Sequence, residues 1–305
     1  MTTALFDRFV ALKSETPHLF ARDAAARLGC SEAEIVAAMP SSLRLAPRFA
    51  EIFRGLPQLG EVKTITRNEH AVIEKWGAFE SVEIGAGPLG QVVGDEIDLR
   101  LFLRQFRHVF FVDEETARGR RESLQLFDEH GDSIHKIYAE TADGARAMRL
   151  LAAEHLAEQP GGALVVSPRP PRASAEGLAA GDVEPFRRAW DGMTNTHDFF
   201  GILRRFMVGR VQALEAAGPS RAVEVERGAL ATILGWAAES QAPIMVFVGS
   251  RGVLQIHTGP VRAVRPQQGW INVLDRRFNL HVKESAVARA FVVRKPTDDG
   301  VVSSL

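Results

Sequence analysis

The feature that most constrains the fold of this chain is an internal repeat. The segment Ile97–Phe102 (IDLRLF) resembles Phe278–Lys283 (FNLHVK) at an offset of 181 residues. The same offset, without a gap, aligns three further places: Phe110 with Phe291, Val112 with Val293, and Ser123-Leu124 with Ser304-Leu305. An offset of 182 aligns Gly77 with Gly259. One offset shared over roughly thirty residues indicates a duplicated structural unit.

The pattern within each copy predicts helices that lead into a β-sheet. Residues 5–39, 141–158 and 185–218 have apolar positions at helical spacing, whereas residues 61–138 and 242–295 consist of short β-rich runs separated by turn residues. We therefore predict an α+β fold with an internally duplicated unit, each half a helical segment plus an antiparallel β-sheet.

The repeat and one change of composition suggest the domain boundaries. Residues 157–184 are rich in Pro, Gly and Ala with little periodicity, which is typical of a linker. We predict a first repeat over 1–156, with a helical lead-in, an antiparallel sheet and a closing helix, and a second repeat over 185–305. Because the first copy continues beyond Leu124 with another strand pair, the second is predicted to lack its carboxy-terminal strands.

The amino-terminal helices allow two interpretations. Ser31 is a candidate helix N-cap with Glu34 three residues later, and the glycine-containing turn before it gives a helix-turn-helix pattern. The favoured interpretation is a helical pair that packs on its own domain. A DNA-binding motif is less favoured, because the second helix is not basic.

Composition restricts the class of protein. With 37 basic and 38 acidic side chains, the net charge is −1, which argues against a protein that mainly coats nucleic acid. Cys30 is the single cysteine, so an internal disulfide is excluded and a reducing compartment is favoured. Neither a bilayer-spanning apolar run nor a secretory signal is evident, and we therefore expect a cytoplasmic protein.

The usual catalytic motifs do not occur. The sequence contains no Walker A, G-x-S-x-G or H-E-x-x-H motif and no cysteine pair for zinc or iron–sulfur clusters. GAGPLG matches a dinucleotide-binding pattern literally, but it contains proline and precedes a β-rich run, so a turn is expected. None of the 9 histidines forms a metal-ligand pair on a shared helix.

One histidine has unusual surroundings. Trp190, Met193, His197 and Phe200 are spaced 3, 4 and 3 residues apart, which predicts one stripe of a single helix. Composition alone favours a hydrogen-bonded core histidine. A haem pocket needs the same composition, however, with one neutral imidazole for iron, flat apolar walls, and cations for two propionates. Suitable cations follow along the chain: Arg204, Arg205 and Arg210.

A family resemblance covers nearly the whole chain except the linker. The stretch RAWDGMTNTHDFFGILRRFMVGRVQAL resembles the haem-ligand helix of the HemS/ChuS family of bacterial hemin-degrading and haem-transport factors. TRNEHAVIEKWG and IDLRLF resemble the first half of these proteins, and ARDAAARLGCSEAEIVAA resembles their amino-terminal helices. GSRGVLQIHTGPV, WINVLDRRFNLHVKE and FVVRKPTDDGVVSSL resemble their second half.

The resemblance implies a role for particular residues. It identifies His197 as the iron ligand and Arg100 as the residue that faces the opposite side of the haem and takes part in catalysis, with Phe102 beside the ring. Arg210 and Lys295 resemble the propionate-binding cations. Met245 and Phe247 are expected to line the pocket wall.

The implied function has two forms. The chain is expected to bind one haem and either to open the ring and release iron, or to carry haem from an importer to a separate haem oxygenase. A pure carrier without catalysis is the alternative, and a DNA-binding regulator is a weaker one. The expected partners are therefore haem, a haem importer or a haem oxygenase, with nucleic acid unlikely.

Overall fold

The fold is described from a computed structural model, which describes residues 2–17, 19–116, 119–159, 164–171 and 177–305. Within these ranges the α-helices are α1 Thr2–Glu15, α2 Ala21–Leu28, α3 Glu32–Ala38, α4 Phe49–Gly55, α5 Ala142–Glu154, α6 Val183–Asp191, α7 Asp198–Arg205, α8 Arg210–Ala217 and α9 Ala229–Ser240. The predicted linker over 157–184 falls partly outside the described residues.

The strands of the first half are β1 Ser42–Arg44, β2 Val62–Arg67, β3 Ala71–Gly77, β4 Ser81–Ile84, β5 Leu89–Val93, β6 Asp98–Phe102, β7 His108–Thr116, β8 Gly119–Phe127 and β9 Ser133–Ala139. Those of the second half are β10 Ala222–Val225, β11 Ile244–Gly249, β12 Val253–Gly259, β13 Trp270–Leu274, β14 Phe278–Lys283, β15 Ala290–Thr297 and β16 Gly300–Ser304. The predicted α+β class and its duplication are confirmed by this element order, which repeats along the chain.

The duplication is visible in the strand registers. Val112 of β7 lies opposite Ser123 of β8, and Val293 of β15 lies opposite Ser304 of β16, which is the same pairing 181 residues later. The two hairpin ends also share a hydrogen bond. The Oγ1 of Thr116 donates to the carbonyl of Gly119, and the Oγ1 of Thr297 donates to that of Gly300, both at 2.7 Å.

The two copies exchange strands. An eight-stranded sheet has the order β1-β7-β8-β9-β2-β3-β14-β13, and a five-stranded sheet has the order β11-β12-β6-β5-β4. In the first, Leu280 of β14 lies opposite Ile73 of β3; in the second, Gln255 of β12 lies opposite Leu99 of β6. These two pairings are equivalent, because Leu280 corresponds to Leu99 and Gln255 corresponds to Ile73 in the repeat. Each of the two sheets therefore contains strands of both copies, a detail that the sequence pattern did not predict.

Two compact units result, and they do not follow the predicted repeats. Unit 1 comprises Met1–Arg169 and Ala237–Val282; unit 2 comprises Pro170–Trp236 and Lys283–Leu305. Because exchanged strands tie the second copy into the sheets of the first, spatial units and sequence repeats divide the chain at different places. The boundaries 1–156, 157–184 and 185–305 stay a prediction of which residues belong to each sequence repeat and to the linker.

Each unit has its own apolar core. In unit 1 the helix α4 and the closing helix α5 pack on the inner faces of the sheets, with Phe53, Leu56 and Met148 fully buried. In unit 2 the helices α6, α7 and α8 pack on β10 and β15 around Phe186 and Trp190, which are both fully buried. Burial of aromatic side chains on this scale stabilises a fold by about 1.5–3 kcal/mol each.

The amino-terminal helices belong to unit 1. The predicted capping box of α3 is confirmed: the backbone N–H of Glu34 donates to the Ser31 hydroxyl, and the Glu34 carboxylate accepts from the Ser31 backbone. Most of α3, including Ile35 and Val36, is buried against β7 and β8. A helix buried in this way does not present a recognition surface to a DNA groove.

Candidate functional site

His197 lies in a tight turn between two helices. The Asp198 carboxylate accepts hydrogen bonds of 3.0 Å from the backbone N–H groups of Thr194 and Asn195, and the Asn195 side chain accepts one of 2.9 Å from the backbone of His197. These bonds lower the pKa of Asp198 below its usual range, so its charge holds the turn. His197 is consequently fixed through its backbone at the start of α7.

The predicted single helix with one stripe is therefore wrong. Helix α6 ends at Asp191, just before Gly192, and α7 begins at Asp198, so Met193 and His197 lie between helices. The reason is local. Asparagine, threonine and aspartate side chains bind nearby backbone groups and so compete with the helical hydrogen bonds, which favours caps and turns.

The residues of the predicted stripe also differ in how deeply they are buried. Trp190 and Met193 are buried in the core of unit 2, whereas His197 is exposed and Phe200 is 54% exposed. The alternative of a hydrogen-bonded core histidine is therefore contradicted by the structure. An exposed imidazole is available to a ligand.

Arg210 and Lys295 lie together in the same unit. The Cζ atom of Arg210 is 5.9 Å from the ring centre of Phe199 and 5.2 Å from that of Phe200, and Nζ of Lys295 is 4.5 Å from the ring centre of Phe199. Burial, and then the charge of Arg210, lower the pKa of Lys295. Within the described residues neither cation forms an ion pair with a carboxylate, so both can bind an anionic ligand.

Two contacts tie the strand that carries Lys295 to the helix and the turn that precede His197. The indole Nε1 of Trp190 donates to the carbonyl of Arg294 at 2.9 Å, which ties α6 to β15 next to Lys295. The backbone N–H of Asp298 donates to the carbonyl of Thr194 at 3.0 Å and ties the end of β15 to the histidine turn. The earlier candidates Arg204 and Arg205 are exposed on α7, and Arg205 stacks on Phe206 instead.

Four further predicted site residues share one face of the five-stranded sheet in unit 1. The register aligns Gly249, Leu254, Arg100 and Gln91 in one row across the sheet. Because side chains alternate along a strand, Phe102, Met245 and Phe247 face the same side as Arg100. These three are 39%, 54% and 53% exposed, whereas Leu99 and Leu101 on the opposite face are fully buried. The result is an exposed apolar surface with one guanidinium in it.

Arg100 has a partner that the sequence reasoning missed. Its guanidinium forms a hydrogen-bonded ion pair with Asp98, two residues earlier on the same face of β6, and also donates to the carbonyl of Leu99 at 3.2 Å. The alternation of β6 was sufficient to find Asp98. Phe199, the ring beneath both cations of unit 2, was also missed, because its neighbour Phe200 fitted the helical stripe.

The two residue sets define a class of protein. Unit 2 supplies an exposed imidazole and two cations that have no carboxylate partner in the part of the chain that the structure describes; unit 1 supplies an exposed apolar sheet face with a guanidinium. The set of unit 2 suits a ligand that carries acidic groups and accepts an axial nitrogen, and the face of unit 1 suits a flat, largely apolar one. Within the described parts of the chain, no cluster of three His, Cys, Asp or Glu residues could hold a bare metal ion, and no helix is long and apolar enough to cross a membrane.

Comparison with known proteins agrees with this class. A sequence model of the haemin-degrading HemS.ChuX domain matches residues 29–155 and 207–305, one match in each half. The hemin transport protein HmuS of Yersinia pestis is 39% identical over 309 residues, covering 100% of this chain and 88% of that protein. The hemin transport protein HemS of Yersinia enterocolitica is 36% identical over 315 residues, with the same coverage.

Solved structures are similar over the whole chain. Holo-PhuS, a heme-binding protein from Pseudomonas aeruginosa, matches with a TM-score of 0.94 and 40% identity, covering 99% of this chain and 88% of that one. The heme degrading enzyme ChuS of Escherichia coli O157:H7 matches with a TM-score of 0.90 and 36% identity, covering 99% and 89%. This chain belongs to the HemS/ChuX family of haemin-degrading domains.

Proposed function

We propose that the protein binds one haem through His197 and serves the use of haem iron. The observation that carries the proposal is the cluster in unit 2, where two cations, without carboxylate partners among the described residues, lie over Phe199 and Phe200 of the helix that follows the exposed His197. The solved relatives described as heme-binding and heme-degrading, and the curated relatives named hemin transport proteins, support the same ligand.

The residues fit haem on chemical grounds. A neutral imidazole is a common axial ligand of haem iron, and the exposed ring of His197 is free to approach one. Arg210 and Lys295 would form charge-assisted hydrogen bonds with the two propionates, which are stronger than neutral ones. Anionic carboxylates would also relieve the repulsion between the two cations.

Arg100 and the sheet face of unit 1 are further residues that we propose to contact bound haem. Met245, Phe247 and Phe102 offer apolar surface that is exposed without a ligand, and its burial would contribute about 25 cal/mol per Å². The guanidinium of Arg100 stays charged at any working pH. Bound haem would supply the iron at which dioxygen or peroxide reacts; Arg100, held by Asp98, would orient a polar group near it.

Two functions share this site. In the first, the protein opens the haem ring with an external reductant, and Arg100 takes part in catalysis. In the second, it carries haem and passes it to a separate oxygenase after receiving it from an importer. The single unpaired Cys30 supports a reducing, cytoplasmic location for either function.

A hemin titration followed by Soret absorbance tests the binding proposal. We expect a saturable one-to-one shift in the wild type, a loss of at least a hundredfold in affinity for His197→Ala, and no change for His70→Ala, an exposed histidine in a turn of unit 1. An unchanged affinity and spectrum in His197→Ala would disprove the ligand assignment.

Ascorbate added in air to the complex, with catalase present, separates the two functions. Decay of the Soret band into verdohaem-like or biliverdin-like absorption indicates a haem-degrading enzyme. A complex that stays intact under these conditions, and then transfers its haem to an added oxygenase, indicates a carrier.

A further inference from the structure

Unit 1 contains a pocket that the proposed haem site does not use. It has a volume of about 330 Å³, at the lower end of the range for small-molecule sites, and lies where the two copies exchange strands. Lys75 of β3 and His257 of β12 occupy equivalent positions of the repeat, 182 residues apart, and both line it. The duplication has thus brought one position of each copy together and given them different chemistry.

Lys75 and His257 form a buried polar pair on an aromatic ring. Nζ of Lys75 donates to Oε2 of Glu96 at 2.9 Å and lies 3.3 Å from Nδ1 of His257. The imidazole stacks flat on Phe278, with ring centres 3.7 Å apart and planes inclined by 1°. Lys75 and His257 are 2% and 6% exposed, so both are more than nine-tenths buried.

This geometry determines which nitrogen of His257 carries hydrogen. A lysine ammonium can only donate, so Nδ1 must accept from Lys75, and Nε2 then carries the hydrogen. Burial, and then the charge of Lys75, lower the pKa of His257 to about 4, so the ring is neutral at neutral pH. The buried Nε2–H has no acceptor with hydrogen-bond geometry among the described residues, although the Pro260 carbonyl lies close enough to raise the pKa of His257.

A glycine keeps space open beside this donor. Gly259 lines the pocket, and a Cβ atom placed there would lie 3.9 Å from Nε2 of His257 and 3.8 Å from its Cε1. Gly259 also has a φ of +137°, which other residues rarely adopt. The space beside Nε2 therefore depends on glycine.

Positive charge exceeds free negative charge around the pocket. The lining cations are Lys75, Arg262, Arg276 and Arg277. Among the lining carboxylates, that of Glu96 binds Lys75, and that of Asp275 accepts the backbone N–H groups of Arg262 and Ala263. Arg277 pairs with Glu61 at 3.2 Å.

Two of the lining arginines differ from Arg277 in having no ion-pair partner among the described residues. Within the described residues Arg262 and Arg276 have no carboxylate partner, and both are exposed at the rim. Asp95 is the one lining carboxylate that neither Lys75 nor a backbone group engages, and it is exposed. A donor without an acceptor at the bottom and two unpaired guanidinium groups at the rim are complementary to an oxyanion.

We propose that this pocket is a binding site for a small polyanion that carries carboxylate or phosphate groups, with Nε2 of His257 and Nζ of Lys75 at its base and Arg262 and Arg276 at its rim. Nothing in this arrangement requires haem, so the site is independent of the proposed function.

Isothermal titration of the haem-free full chain with inorganic pyrophosphate and, separately, with citrate tests the proposal. We expect saturable one-site binding of at least one probe. Binding of pyrophosphate alone identifies the phosphate class, and binding of citrate alone the carboxylate class. The absence of saturable binding for both probes would overturn the proposal.

Variants locate the site. His257→Phe keeps an aromatic ring on Phe278 but removes the donor, and Arg262→Ala with Arg276→Ala changes exposed side chains alone; each should weaken binding at least tenfold. Arg265→Ala, an exposed arginine on the same loop outside the pocket, should leave it unchanged. Equal affinity in all of these variants would overturn the assignment. Hemin affinity should be the same in His257→Phe as in the wild type.

Discussion

The two copies keep the same strand registers but differ in the chemistry of equivalent positions. On the face of the five-stranded sheet, β6 carries Arg100 and Phe102, where the equivalent strand β14 of the eight-stranded sheet carries His281 and Lys283. On the next strand of each copy, β15 carries Lys295 where β7 carries Glu114. Backbone pairing therefore outlasted side-chain identity, and at these positions the side chains proposed to contact haem are not repeated in the other copy. Moving residues between copies tests this difference.

The largest effect is expected when Lys295 is replaced by the residue of the first copy. Lys295→Glu removes a charge-assisted bond worth about 1.5–3 kcal/mol and places a carboxylate near a propionate. We expect hemin affinity to fall about a hundredfold or more, measured by Soret titration. Glu114→Lys, the reciprocal change, should have no effect. An unchanged affinity in Lys295→Glu would show that this lysine does not bind a propionate.

A smaller effect is expected on the sheet face. Phe102→Lys introduces the side chain that the second copy has at this position and removes apolar contact worth about 1–2 kcal/mol. Hemin affinity should fall about tenfold, whereas Lys283→Phe should leave it unaltered. If both changes alter affinity equally, the difference between the two faces is not functional.

The lowered pKa of Lys295 predicts a dependence on pH. Propionate binding favours the charged lysine, so affinity is greatest while Lys295 is protonated and is lost as pH rises through its pKa in the free protein. Because burial and Arg210 lower that pKa, the loss should begin at a lower pH than for an ordinary lysine. Hemin titrations between pH 7 and about 10 should show it, and Lys295→Met should not. A decline of equal size in Lys295→Met would assign it to another group.

The smallest effect on affinity is expected for Arg100. Its guanidinium is already paired with Asp98, so Arg100→Ala should change hemin affinity by about twofold or less. If the protein degrades haem, the same variant should lose ring opening with ascorbate. Arg104→Ala, an exposed arginine just after β6, is the matched control for both measurements. Normal ring opening in Arg100→Ala would remove this residue from catalysis.

The sequence predicted some levels of structure well. The shared offset predicted the duplicated fold because a repeat can be found by comparing the chain with itself, and S-x-x-E predicted the cap of α3 because capping is a local signal. The strand alternation in IDLRLF also predicts Asp98 beside Arg100. Which strands become neighbours was not predictable, since the pattern of a single strand specifies its faces but not its partners.

The helical stripe at His197 failed for an instructive reason. Periodicity counted Trp190, Met193, His197 and Phe200 without weighing the residues between them. The Asp198 carboxylate accepts from the backbone N–H groups of Thr194 and Asn195, and the Asn195 side chain accepts from that of His197, so a turn forms where the helix would continue. The structure shows that Phe199, rather than Phe200, enters the core. The cations Arg210 and Lys295 both lie over the ring of Phe199.

The pairing of β3 with β14 and of β12 with β6 also bears on the origin of the chain. In a single-copy ancestor the same pairings would have joined two identical subunits across a twofold axis. Fusion of the two genes would keep every hydrogen bond of that interface while releasing both halves from the requirement to be identical. A pocket on such an axis, with lysine on one side and histidine on the other, is an asymmetry that a homodimer encoded by one gene could not have acquired.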